Sequence, residues 1–125
     1  MPDPMYRRIA DYLSAHADPS DIVDSEEVGT FAYYTGLRMN DHARLVTPYP
    51  GDVFWRLTHG RPTKLRWLVL NGAQLKLGRE RPFYEGRAMT VFDGGFGGWR
   101  LWVVDVKAPR IDGQKSPWEM GNVNP

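Results

Sequence analysis

The chain of 125 residues contains no cysteine. That excludes disulfides, thiolate catalysis and cysteine-type zinc sites at once, and it leaves the compartment open. It also contains no run approaching the ~20 apolar residues of a membrane span. The opening Met1-Pro-Asp-Pro-Met-Tyr-Arg-Arg8 has no apolar signal core, so the chain as it stands is expected to be soluble. An excess of one charge is missing too: 16 basic and 15 acidic side chains give a net charge of +1. A nucleic-acid binder needs a basic stripe, so no nucleic-acid partner is expected. None of the four serines, Ser14, Ser20, Ser25 and Ser116, sits in a Gly-x-Ser-x-Gly elbow, which disfavours a serine hydrolase of that type. There is no internal repeat and no low-complexity tract.

Aromatics are plentiful, at 13% with five Trp, and the hydrophobic fraction of 42% is ordinary for a globular protein. A chain of this length makes one domain and buries roughly two-thirds of the surface of its unfolded form. The boundaries expected are a single α/β domain over residues 1–107 and an extended tail with Pro and Gly over residues 108–125.

Asp3 as N-cap and Pro4 at the first helical position start a helix. Tyr6, Ile9, Ala10, Leu13 and Ala17 then recur on one face. Asp18-Pro19-Ser20-Asp21 makes a turn, and Ile22-Val23 is a short strand core. Asp24, with Glu27 three residues on, predicts the cap of a second helix carrying Val28, Phe31 and Ala32 inward. Glu26 and Glu27 sit where a helix dipole favours negative charge. Gly36 fits the position after the helix, and Leu37–Asp41 reads as a second strand. Asp52 is a candidate cap for a third helix with Val53, Phe54 and Leu57 buried and Gly60 at its end. Leu65–Leu70 is the strongest strand, and its apolar run predicts cover on both faces. Residues 72–85 carry no firm assignment. Arg87–Phe92 and Trp99–Val106 read as two strands joined through Asp93-Gly-Gly-Phe-Gly-Gly98. The order predicts an α/β fold, a small three-layer sheet with parallel N-terminal strands and a C-terminal antiparallel hairpin.

Each candidate site has a plainer counterpart. The glycines 94, 95, 97 and 98 lack the Lys-Ser/Thr and the following helix of a phosphate loop, so a hairpin turn is the better reading. Asp41 and His42 are adjacent, but neighbours on a strand face opposite ways, so adjacency does not make a dyad. Asp41 itself ends a parallel strand, the edge at which open α/β sheets bind ligands. Glu26 and Glu27 form a carboxylate pair that helix-start charge explains equally. Tyr33, Tyr34, Tyr49 and Trp55 are candidates for an aromatic sugar platform, set against ordinary core roles. His16 and His59 lie in other elements, and no cofactor or metal is expected.

Four segments carry a family resemblance. Tyr6-Arg-Arg-Ile-Ala-Asp-Tyr-Leu13, Asp21-Ile-Val-Asp-Ser-Glu-Glu-Val-Gly29, Phe31-Ala-Tyr-Tyr-Thr-Gly36 and Asn40-Asp-His-Ala-Arg-Leu-Val-Thr-Pro48 together resemble the soluble C-terminal region of polytopic membrane glycosyltransferases, the lipid-phosphate-sugar-dependent enzymes of the mannosyl- and arabinosyltransferase type. Lys64–Leu70 stands where that region has its next strand. Glu27, Gly29, Tyr34, Gly36, Asp41 and Leu45 match the pattern, whereas Arg44 stands where the family usually has Gly. The resemblance implies an extracytoplasmic accessory domain, detached from the membrane portion that holds the catalytic acid, binding a glycan or a membrane-protein partner. With the residue readings above, it leaves Glu27, Tyr34 and Asp41, which match the pattern, and His42 and Tyr49, which come from the residues alone, as the candidate ligand contacts. Two other readings stay open: a free-standing small enzyme with a site near Asp41 and His42, cytoplasmic in that case, and a homodimeric interaction module.

Overall fold

The structure, a computed structural model, describes residues 4–26, 28–41, 53–94, 98 and 100–111. Along the chain come α1 (Pro4–His16), β1 (Ile22–Ser25), α2 (Val28–Thr35), β2 (Arg38–Asp41), α3 (Val53–Thr58), β3 (Leu65–Asn71), α4 (Gly72–Leu77), α5 (Arg81–Tyr84), β4 (Met89–Phe92) and β5 (Leu101–Asp105). The strands form one five-stranded sheet in the order β2-β1-β3-β5-β4. β1 lies parallel to both β2 and β3, while β5 is antiparallel to β3 and β4 antiparallel to β5. This is the expected α/β fold, with parallel N-terminal strands and an antiparallel C-terminal pair.

The alternation of side chains along each strand divides the core in two. Val23, Trp67, Val69, Leu101 and Val103 face α1 and α2, where Met5, Ile9, Ala10, Leu13 and Phe31 meet them. Ile22, Leu68, Leu70, Trp102 and Val104 face the other way, onto Leu75 of α4 and Tyr84 of α5, with Val53 and Leu57 of α3 packed alongside. Helices therefore cover both faces, and the continuous apolar run of β3 follows from that double cover. The helix α1 forms on its predicted face. At its end the Nδ1–H of His16 donates to the Tyr12 carbonyl at 2.8 Å, and the ring stacks on Tyr12. His59 does the same with Trp55 at the end of α3.

Two expectations change. Asp24 does not cap α2. It lies inside β1, fully buried, and α2 begins only at Val28. Residues 72–85, left unassigned from sequence, hold two short helices. Asn71 caps α4 with a full capping box: its side-chain oxygen accepts from the Gln74 N–H at 2.8 Å, and the Gln74 side-chain oxygen accepts from the Asn71 N–H at 2.7 Å. Gly94 and Gly98 have φ of 82° and 73°, as a hairpin connection requires. The chain after β5 returns along α5 and β4: the Arg87 Nε–H donates to the Ala108 carbonyl at 2.8 Å, and the Ile111 N–H to the Gly86 carbonyl at 2.6 Å. Burial lowers the pKa of Arg87 from its ordinary value. Among the described residues no helix is long and apolar enough to cross a membrane.

The amino edge of the sheet is locked by charge. The register of β1 on β3 jumps from Ile22↔Leu65 to Val23↔Trp67, so Arg66 is an extra residue in β3. Its guanidinium donates to both oxygens of Asp105, at 3.1 and 3.0 Å, and to Asp21 at 3.3 Å and Asp18 at 3.4 Å. Asp21 is buried and accepts further from the Trp67 indole N–H at 3.0 Å and the Asp18 backbone N–H at 2.9 Å. Hydrogen bonding to Asp105 holds the guanidinium above its ordinary pKa, against a smaller desolvation effect.

Candidate functional site

The carboxyl edge of the parallel strands carries a second set of polar groups. β1 ends at Ser25 and leads to Glu26, β2 ends at Asp41, and β3 ends at Asn71. The helices that follow β1 and β3 leave on opposite faces of the sheet, α2 toward the Phe31 core and α4 toward the Leu75 core. Neighbouring strands with diverging helices open a crevice between them, which is the position at which open α/β sheets bind ligands.

A niche of about 30 Å³ occupies that position. Val69 of β3 and Leu101 of β5 form its apolar floor, Tyr6 of α1 and Ser25 its walls, and Glu26, Asn71 and Gln74 its polar rim. The Gln74 Nε2–H donates to Glu26 Oε1 at 3.2 Å, which ties the end of β1 to the start of α4. Pockets that enclose a small molecule run to roughly 300–1,000 Å³, whereas a single water needs roughly 10–15 Å³. The niche thus has room for one or two water-sized groups and not for a sugar ring.

On the opposite face of the same edge, Asp24 and Asn40 are directly opposed in the β1–β2 register. Both are buried, and the Asn40 Nδ2–H donates to Asp24 Oδ1 at 2.9 Å. Carrying a carboxylate into a core is costly unless it is hydrogen-bonded, so this contact is a structural necessity of β1 before it is anything else.

The structure scatters the candidates drawn from the sequence. Asp41 is exposed at the end of β2, in register with Ser25. Tyr34 is half-buried against the α1–α2 core, with the Arg7 guanidinium 4.5 Å from its ring centre, and its neighbour Tyr33 is 82% exposed. Trp55 belongs to α3, across the sheet from both tyrosines, so the three make no common platform. Glu27, His42 and Tyr49 lie outside the described residues. Glu26 accepts from Gln74, and the other member of that carboxylate pair, Glu27, lies outside the described residues. Among the described residues no group of three or more His, Asp or Glu side chains is placed to hold a metal ion.

Asn71 and Gln74 escape a reading of the sequence for chemistry, because both are neutral amides. The Asn-x-x-Gln spacing of a capping box, at the end of the strongest strand, is the signal that marks them. Comparison of the chain with family models, with curated proteins and with solved structures finds no match.

Proposed function

We propose that this chain is a non-catalytic binding domain of the kind carried outside the cytoplasm by membrane glycosyltransferases, and that it presents the carboxyl edge of its sheet to a glycan. The observation that carries this reading is the β1–β3 crevice: a polar rim over a niche of about 30 Å³, built to touch a ligand rather than to enclose one. A surface of that shape suits contact with part of a larger molecule. Catalysis instead calls for an excluded-water pocket with converging acid and base groups.

The motif segments behind the resemblance lend support. Asp21–Gly29, Phe31–Gly36 and the described start of the fourth segment, Asn40-Asp41, fall on the β1–α2–β2 unit, and Ser25 and Asp41 in them end β1 and β2. In this reading Gly36, with a φ of 69° just after α2, shapes the fold and does not touch ligand. Asp41 and Glu26 are the charged groups at the binding edge. The test is saturation-transfer NMR of neutral oligosaccharides at millimolar concentration in the presence of the protein. Transfer to sugar protons is expected, and its absence across a panel of glycans would remove the reading. Turnover of a lipid-phosphate sugar by the isolated chain would remove its non-catalytic half.

A further inference from the structure

We propose that the β1–β3 niche is a subsite for a single hydroxyl group of a neutral glycan, with Glu26 as acceptor and the amides of Asn71 and Gln74 as donors. The proposal rests on the glycan-binding reading above and narrows it to three residues and one functional group.

The capping box supplies the first argument. Asn71 spends its side-chain oxygen on the Gln74 N–H, and Gln74 spends its own on the Asn71 N–H. Each oxygen already accepts one backbone N–H, which fixes the orientation of both amides and makes their nitrogens the donors available to the niche. Gln74 uses one of its two N–H groups on Glu26 Oε1 and keeps a second. Glu26 is exposed and offers acceptor lone pairs alone when ionised. The rim therefore combines donors on one side with an anionic acceptor on the other.

Ligand classes separate on that combination. An anion meets the Glu26 carboxylate and is repelled. A cation meets the hydrogens of two amides. A hydroxyl donates one hydrogen bond and accepts another, and so satisfies both sides at once. The volume selects as well, since about 30 Å³ admits a hydroxyl and leaves the ring that carries it outside. The floor of Val69 and Leu101 is apolar and suits the C–H beside such a hydroxyl. The rim is also held in place before any ligand arrives. Its residues stand at the ends of β1 and β3, which pair directly, and the Glu26–Gln74 bond bridges them.

Two substitutions remove the subsite without removing the fold. Asn71→Asp keeps the oxygen that caps α4 and deletes the donor. Glu26→Gln keeps the shape and exchanges the anionic acceptor for an amide. The experiment is an amide correlation titration of the whole chain with methyl pyranosides and their singly deoxygenated analogues, following the backbone of Ser25, Glu26, Asn71 and Gln74 and the side-chain amides of the last two. The expected result is a set of shifts centred on those four residues. Affinity should fall about tenfold in each variant and for one deoxy analogue only. Circular dichroism should be unchanged in both variants. Sugar-induced shifts centred elsewhere, or variants that bind as tightly as the parent, overturn the subsite and leave glycan binding standing. Tighter binding of an anionic sugar overturns the hydroxyl assignment. No shift with any sugar overturns both proposals.

Discussion

Replacing Arg66 by Met tests the lock at the amino edge of the sheet. The methionine keeps the length of the stem and deletes the guanidinium. The two-oxygen contact with Asp105 is lost, a charge-assisted pair whose partners are 24% and 21% exposed. Hydrogen bonds to charged groups contribute about 1.5–3 kcal/mol when shielded, and partial exposure places this pair near the bottom of that range. Asp21 loses a third donor while its side chain is only 4% exposed. Stranding a buried carboxylate entirely costs about 3–5 kcal/mol, but Asp21 keeps the Trp67 indole and the Asp18 backbone N–H, so only a fraction of that applies. The sum is about 2–3 kcal/mol, or roughly 8–12 °C in the midpoint of thermal unfolding. Urea denaturation followed by circular dichroism measures it, with an unchanged slope expected. Arg7→Met is the control. It removes an ion pair to Asp11 on the surface of α1, with side chains 55% and 66% exposed, together with the contact of the guanidinium to the Tyr34 ring, and should cost under about 1 kcal/mol. The raised pKa of Arg66 means that its contribution is fully present below the ordinary arginine value and is lost only as pH rises beyond it. The difference between the two variants should therefore be the same at pH 6 and pH 9. Equal costs for the two arginines would refute the view that the extra residue in β3 is held for its charge.

Two glycines at the ends of α2 should respond in opposite directions. Gly36, at φ 69°, should lose about 1 kcal/mol on change to Ala, while Gly29, with nothing within 4 Å of an added methyl, should gain about 0.5 kcal/mol, both read by chemical denaturation. Tyr84 is buried, and desolvation raises its pKa, with its hydroxyl donating to the Leu75 carbonyl at 3.2 Å. A raised folded value means that the native state holds its proton longer than the unfolded chain. Stability should therefore be flat with respect to this group below its ordinary pKa and should fall as pH rises above it, and Tyr84→Phe should flatten that alkaline decline.

The parts legible in the sequence are those in which local pattern and tertiary burial agree. The α1 stripe of Ile9, Ala10 and Leu13 is buried as its spacing predicts, and the Leu65–Leu70 run is the central strand. Asp24 misleads because Asp followed by Glu three residues later imitates a cap, while its actual partner, Asn40, is supplied by strand register. The helix α4 is hidden by its length, Gly72–Leu77, too short to show a period. The niche was not legible at all. It needs β1 and β5 on either side of β3 and α1 across them, and no local pattern encodes those neighbours.

Among the described strands β3 alone has a parallel neighbour on one side and an antiparallel neighbour on the other. Neither half of the sheet can close without it. During synthesis β1 and β2 emerge first, and a pair of them leaves open the edge of β1 that β3 later covers, which invites other chains to dock there. That exposure lasts until Leu65–Asn71 leaves the ribosome. A truncated product ending before Leu65 is thus an aggregation hazard rather than a smaller working protein.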